Sequence, residues 1–135
     1  MSWKLVFVIG LCAGVLFAAV GSTSASTKSA AGSCKGAVRW DRAAALVGRV
    51  ATIKRPVVGA YFASDSNGAP TFLNLGLDYP NPRRFTVLIW GRDRRKFRSP
   101  ETTYRGKTIC VRGLIQAYRG NTEVFASSPS QIAVA

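Results

Sequence analysis

The stretch that decides the fold runs from Pro70 to Trp90 and reads PTFLNLGLDYPNPRRFTVLIW. Two runs rich in aromatic, aliphatic and β-branched residues flank a turn with two prolines, which predicts two strands joined by a loop. Arginines stand directly before the second run, and aromatic residues occur in both. Cations neutralise phosphates and flat rings stack on bases. The stretch therefore indicates a small sheet suited to holding a nucleic acid strand.

Working outward from this stretch, the pattern predicts a short helix at 40–48, with Asp41 as its N-cap, and a second short helix within 91–97. The five predicted strands are 49–63, 71–77, 85–90, 107–118 and 123–126, the last with a possible extension at 130–134. The order of helix, three strands, short helix and two strands is that of an OB-fold. We therefore predict an all-β domain with short helices, built as a five-stranded Greek-key barrel.

Several of these segments also resemble a known group of proteins. Residues 41–50, 71–76, 85–90 and 104–120 are similar to small bacterial OB-fold nucleic-acid-binding domains, which occur alone after export signals or attached to secreted nucleases. The resemblance covers nearly all of residues 38–134 and implies a fold more strongly than an activity. Arg55 and Pro56 stand where a glycine is expected in the first strand, which leaves the curvature of that strand open.

The N-terminal segment has the pattern of a secretory signal peptide at 1–25. Lys4 precedes an uncharged apolar run of 16 residues, Leu5 to Val20, and small residues follow up to Ala25. A membrane anchor is the alternative, but a spanning helix needs about 20 apolar residues. Residues 26–35 are interpreted as a flexible leader and 36–135 as the OB-fold domain. We expect an exported protein, periplasmic or secreted.

The charge balance favours a polyanionic partner. Removal of residues 1–25 would leave 18 cations against six anions, a net charge of +12, and 13 of those cations are arginine. Such an excess destabilises a compact chain by self-repulsion, so we infer that a partner requires it. Nucleic acid, DNA or RNA, is the expected partner, with an acidic polysaccharide or anionic membrane as alternatives. The other alternative is charge that serves solubility alone, which needs no particular sign and no preference for arginine.

Two cysteines, Cys34 and Cys110, would survive removal of the signal peptide. An even number of cysteines in an exported protein suggests a disulfide. Two free thiols are the alternative if the protein is not exported.

An OB-fold holds its ligands across the second and third strands and the loops that frame them. The predicted stacking and hydrogen-bonding residues are Tyr61, Phe72, Asn74, Trp90 and Tyr118. The predicted phosphate-binding cations are Arg55, Arg83, Arg84, Arg92, Arg94, Arg95, Lys96, Arg98 and Arg119. Each has a structural alternative, because barrel aromatics often belong to the core and charged runs are often solvated faces. Phosphate contacts carry no base information, so low sequence specificity is expected.

Catalysis is not expected. The chain has no histidine and six scattered carboxylates: Asp41, Asp65, Asp78, Asp93, Glu101 and Glu123. Staphylococcal-type nucleases also use an OB barrel, but they need paired carboxylates and calcium, and no pair here has a suitable spacing. No cofactor, metal or small-molecule substrate is expected, and a monomer is. The alternatives are a cell-envelope module that binds anionic glycan or protein and, less favoured, a degenerate nuclease-like domain.

Overall fold

The structure is a computed structural model that describes residues 33–135. The predicted signal peptide and most of the predicted leader lie outside the described residues. The strands are β1 (Val38–Arg39), β2 (Val50–Phe62), β3 (Thr71–Leu75), β4 (Phe85–Ile89), β5 (Thr108–Leu114), β6 (Gln116–Tyr118), β7 (Asn121–Phe125) and β8 (Ile132–Val134). The α-helices are α1 (Gly91–Arg94) and α2 (Pro100–Tyr104), and 3-10 helices span Trp40–Leu46 and Pro129–Gln131. In this part of the chain, no helix has the length and apolar character to cross a membrane.

The strands form a closed barrel. The sheet runs in the order β6-β7-β4-β3-β2-β5-β8, with β4 and β7 parallel. Only Ile115 separates β5 from β6, so these two act as one bent strand. Its first half pairs with β2 and its second half pairs with β7, which joins the two ends of the sheet. This is the topology of an OB-fold, and the predicted five-stranded barrel is confirmed.

The elements outside the barrel differ from the sequence prediction. Residues 132–134 do not extend the fifth barrel strand; they form β8, which pairs with β5. Two short helices, α1 and α2, lie between the third and fourth barrel strands, where one was predicted. The first helix is a 3-10 helix without a side-chain cap, so the predicted role of Asp41 is wrong. The Asp41 carboxylate instead accepts hydrogen bonds from the Arg39 guanidinium at 3.0 and 3.1 Å.

The core lies inside the barrel. Alternate residues of each strand face inward, and they include Leu73, Leu75, Phe85, Val87 and Ile89 of β3 and β4, all fully buried. The first 3-10 helix, Trp40–Leu46, packs Ala43 and Leu46 against this core. The residues between the inward positions of β3 and β4 consequently lie on the outer face of the sheet.

A register shift in β2 decides which of its side chains face outward. The shift lies between Val57 and Gly59, and after it Ala60 pairs with Leu73 and Tyr61 pairs with Phe72. Because the shift changes the alternation, Tyr61 joins Phe72 on the outer face. A side chain at Gly59 would displace the Asp78 carboxylate, since its Cβ would overlap with that group. The irregularity of β2 therefore lies between Val57 and Gly59, whereas Arg55 and Pro56 pair in regular register with β5.

The expected disulfide joins Cys34 to Cys110. Cys110 lies in the middle of β5 and is fully buried. The bond ties the segment before β1 to a strand 76 residues away in sequence.

Candidate nucleic-acid interface

A row of large apolar side chains crosses the outer face of β2, β3, β4 and β7. The register places Tyr61, Phe72, Leu88 and Phe125 side by side on these neighbouring strands. Tyr61 is 65% exposed, Phe125 is 38% exposed and Phe72 is partly exposed. Leu88 is buried beneath its neighbours but is not part of the barrel core. We call these four residues the aromatic row.

Trp90 extends the aromatic row beyond the end of β4. Its ring meets Phe125 edge to face, with 5.8 Å between the ring centroids. On another side it lies against Gly68, where an added Cβ would be 2.9 Å from the indole. Gly68 has a positive φ of 77°, a conformation that suits glycine. The indole is therefore half-buried in a fixed position, with part of its surface open.

Phe125 is a site residue that the sequence prediction missed. It stands at the end of β7, and nothing in its local sequence separates it from a core residue. Its place beside Leu88 follows from the parallel pairing of β4 with β7. Strand alternation could have placed it outside the core, because its neighbour Val124 is fully buried.

Asn74 is not exposed as predicted: it is 5% exposed and is held in a polar network. Its Nδ2 donates to Asp78 Oδ1 at 2.9 Å, and its Oδ1 accepts from Thr86 Oγ1 at 3.1 Å. Asn121 Nδ2 donates to the same Thr86 oxygen at 3.1 Å. The loop after β3 brings Asp78 over Asn74 and excludes solvent. Asn74 therefore connects β3, β4 and this loop, and both ends of its side-chain amide are bonded within the domain.

Glu123 continues this polar row on β7. It pairs in register with Thr86 on one side and Gln116 on the other, and it is 7% exposed. Burial raises the pKa of its carboxyl, and the nearby Arg84 partly opposes this shift. Among the described residues, the Glu123 carboxyl has neither a hydrogen bond nor an ion pair.

Arg94 does not serve as the free phosphate-binding cation that the sequence predicted. Its guanidinium makes two hydrogen bonds to the Glu101 carboxylate, at 2.5 and 2.7 Å, and a third to Thr71 Oγ1 at 2.8 Å. It also lies over the ring of Phe62, 3.6 Å from the centroid. The Arg94 side chain is only 17% exposed. The hydrogen bond from Arg94 lowers the pKa of Glu101 despite burial, and the pair fastens the helical segment to the barrel.

Lys96 and Arg92 share the buried carboxylate of Asp93. Lys96 Nζ lies 2.7 Å from Asp93 Oδ1, and Arg92 Nε lies 3.6 Å from Oδ2. The hydrogen bond from Lys96 is the main cause that lowers the pKa of Asp93. Arg92 nevertheless remains well exposed beside Trp90, so this cluster keeps one net positive charge.

The other predicted cations have no acidic partner within 4 Å among residues 33–135. Those residues contain 17 cations, of which four pair with acids, and 13 are left. The predicted site residues among the 13 are Arg55, Arg83, Arg84, Arg95, Arg98 and Arg119. Arg83 and Arg84 directly precede β4, whereas Arg95 and Arg98 follow α1, so the two groups are attached to opposite ends of β4, the strand that contributes Leu88 to the aromatic row. At about 3.3 Å per residue, the five residues of β4 span about 16 Å.

Two exposed tyrosine rings each have an arginine guanidinium packed against them. The Arg84 guanidinium is 5.3 Å from the ring centroid of Tyr79, and the Arg119 guanidinium is 5.3 Å from that of Tyr118. Tyr79 was not among the predicted site residues. Both rings remain largely exposed and combine a flat surface with a positive charge.

Arg55 is not brought to the aromatic row. Its guanidinium lies 5.9 Å from the ring centroid of Trp40, at the end of the barrel closed by the first 3-10 helix.

Four of the six carboxylates are held in contacts within the domain. These are Asp41, Asp78, Asp93 and Glu101, with the partners given above. Within residues 33–135, no group of three histidine, cysteine, aspartate or glutamate side chains could hold a metal ion.

The strand order and barrel closure define this chain as an OB-fold domain. Comparison with protein-family models and with curated proteins gave no match. The chain is similar in shape to the OBody AM1L10 bound to hen egg-white lysozyme, at 15% identity and a TM-score of 0.47, over 67% of this chain and 83% of that one. It is similar to the asparaginyl-tRNA synthetase of Entamoeba histolytica, at 19% identity and a TM-score of 0.49, over 73% of this chain and 23% of the synthetase.

A third similar structure is the hypothetical protein ygiW from E. coli, at 13% identity and a TM-score of 0.45, over 78% of this chain and 96% of that one. The assignment of the OB-fold depends on the strand pairing and not on these similarities.

Proposed function

We propose that this protein is an exported, non-catalytic, monomeric OB-fold domain that binds nucleic acid, preferring single strands and reading little of the sequence. One observation carries the proposal. The aromatic row crosses four strands of the outer face, and arginines without acidic partners precede and follow β4, one of these strands. A polyanion with flat, unpaired bases matches both features, because its phosphates need cations and its bases need rings.

The spacing of the aromatic row suits a short single-stranded segment. Neighbouring strands lie about 4.8 Å apart, so the row from Tyr61 to Phe125 extends over about 14 Å. Bases in a duplex are stacked on each other and cannot stack on side chains at the same time. The exposed rings therefore favour unpaired strands, at about 1–3 kcal/mol for each stacked base.

Export is supported by two features of the chain. The N-terminal sequence has the pattern of a signal peptide. The disulfide between Cys34 and Cys110 would persist in an oxidising compartment, whereas a reducing cytosol would break it.

The test is an anisotropy titration of the purified protein with a labelled dT15 strand, its duplex form and an acidic polysaccharide. We expect the single strand to bind most tightly. Tyr61→Ala should weaken that binding about tenfold, the loss of one stacking contact. Val134→Ala is the matched control, since Val134 is also exposed but lies on β8, away from the aromatic row.

Other outcomes would overturn the proposal. Tighter binding of the polysaccharide, with no effect of Tyr61→Ala, would indicate a cell-envelope module that recognises charge alone. Incubation of DNA with the protein and calcium or magnesium tests the absence of catalysis. Cleavage that a chelator abolishes would show that the protein is a nuclease.

A further inference from the structure

Glu123 is the one buried carboxyl of the described residues that has no partner. The other buried carboxylate, Asp93, accepts a hydrogen bond from Lys96. Burial of an unpaired carboxyl costs free energy, and the nearby Arg84 partly opposes the rise of the Glu123 pKa without forming an ion pair with it. Unlike Asn121 Oδ1, the Glu123 oxygens keep some exposed surface, so a ligand can still reach them. A feature with such a cost, at the centre of the proposed binding face, points to a role in binding.

The surroundings of Glu123 contain acceptors and rings. Asn121 lies two residues earlier on the same face of β7, and its Oδ1 is buried without a hydrogen-bond partner. Tyr118 pairs in register with Asn121 and is exposed. Phe125 lies two residues after Glu123, and its ring is also open to solvent. The two acceptor side chains, Asn121 and Glu123, thus lie along β7 between two exposed rings.

We infer that Glu123 reads one base of the bound strand: its carboxylate accepts hydrogen bonds from the edge of a base that stacks on Phe125. Outward residues two apart on a strand are separated by about 6.6 Å, so the edge of a stacked purine can reach the carboxylate. This inference rests on the proposed function and adds a single base-selective position to a surface that is otherwise indifferent to sequence.

The donor pattern of the site favours guanine. Guanine presents two adjacent donors on its Watson–Crick edge, N1–H and the exocyclic amino group, which match the two oxygens of a carboxylate. Adenine and cytosine present one amino donor beside an acceptor that would face the carboxylate, and thymine presents its single N–H between two carbonyls. A stacked base that covers the carboxylate would exclude water from it, so a mismatched acceptor would leave the carboxylate unpaired and be rejected.

The experiment compares two strands that differ by one amino group. Anisotropy titrations of the purified protein use a dT12 strand with two central guanines and the same strand with two central inosines, which lack the amino donor. We expect wild-type protein to bind the guanine strand about tenfold more tightly, the discrimination typical of one bidentate contact. Glu123→Gln should bind both strands about equally, so that the ratio of its affinities for the guanine and inosine strands is close to one.

Asp65→Asn is the control for charge. Asp65 is an exposed carboxylate in the turn after β2, so its variant removes the same negative charge without touching the outer face. It should leave the guanine-to-inosine ratio unchanged. Glu123→Gln is nearly isosteric, and a thermal melt confirms that it folds.

The outcomes distinguish the inference from the proposed function. Equal, salt-sensitive binding of both strands by wild-type protein would overturn the role of Glu123 and leave nucleic-acid binding intact. A ratio that persists in Glu123→Gln would also overturn it. No binding of either strand at low salt would refute the proposed function and this inference together.

Discussion

Raising the NaCl concentration from 50 to 200 mM should weaken binding of single-stranded DNA about 50-fold. The structure supplies the magnitude. Arg83 and Arg84 precede β4, Arg95 and Arg98 follow α1, and none of the four has an acidic partner among residues 33–135. Four phosphate contacts on a single strand give a slope of log K against log salt of about −2.8. With this slope, a fourfold rise in salt concentration lowers the affinity about 50-fold.

The assay is a set of anisotropy titrations at five salt concentrations between 50 and 200 mM. Arg95→Gln should reduce the steepness of the slope by about 0.7, since one phosphate contact is lost. Arg112→Gln is the matched control. Arg112 is also exposed, but it lies on β5, across the barrel from β3 and β4. Its removal should lower the affinity slightly and leave the slope unchanged.

Two results would refute this reasoning. A slope near zero would show that binding does not depend on phosphate neutralisation. An equal change of slope in Arg95→Gln and Arg112→Gln would show that the whole surface attracts the strand and that the arginines beside the aromatic row have no special part.

Three further predictions concern stability. Serine at both Cys34 and Cys110 should lower the free energy of unfolding by about 4 kcal/mol, the value for a closed loop of this length; an unchanged urea midpoint would contradict it. Glu101→Ala should lower the free energy of unfolding by about 2 kcal/mol, because it leaves the Arg94 guanidinium without its carboxylate partner. Because the folded pKa of Glu101 is lowered, this cost should be present at pH 7 and disappear in melts well below pH 4, as the carboxyl protonates. Glu123→Gln should instead stabilise the domain by about 1 kcal/mol at pH 7. Because burial raises the pKa of Glu123, wild-type protein loses stability as the pH rises through that pKa. The stability gained by Glu123→Gln should therefore vanish near pH 3, where the wild-type carboxyl is protonated. A variant that melts at a lower temperature than wild-type protein at pH 7 would disprove this prediction.

The barrel could be predicted because its strands alternate so regularly. In 85–89 and 71–75, apolar residues recur at every second position, and Leu73, Leu75, Phe85, Val87 and Ile89 form the fully buried barrel core. Thr86 and Leu88 of the outer face are also buried, which alternation alone did not predict. Turn residues then fixed the number of strands. The short-range pattern was sufficient here, because the alternation of apolar residues within each strand indicates which face of that strand points into the barrel.

The candidate site was harder to predict because it depends on pairings between distant segments. Asn74 was predicted to be partly exposed, but Asp78 in the loop after β3 covers it. Arg94 was counted as a phosphate ligand, although Glu101, seven residues later, binds it. Phe125 joined the row only through a parallel pairing that crosses more than 30 residues. The first two contacts span only four and seven residues, but each joins one element to the next, so the pattern within a single strand or helix could not indicate them.

The disulfide also determines how the domain can be attached to anything. Cys110 lies on β5, whereas the aromatic row is centred on β3 and β4, on the far wall of the barrel. A bead, dye or fusion partner joined ahead of Cys34 would consequently be held behind the ligand surface. Immobilised in this orientation, the domain would display its rings to the solution, and an attachment through β3 or β4 would conceal them.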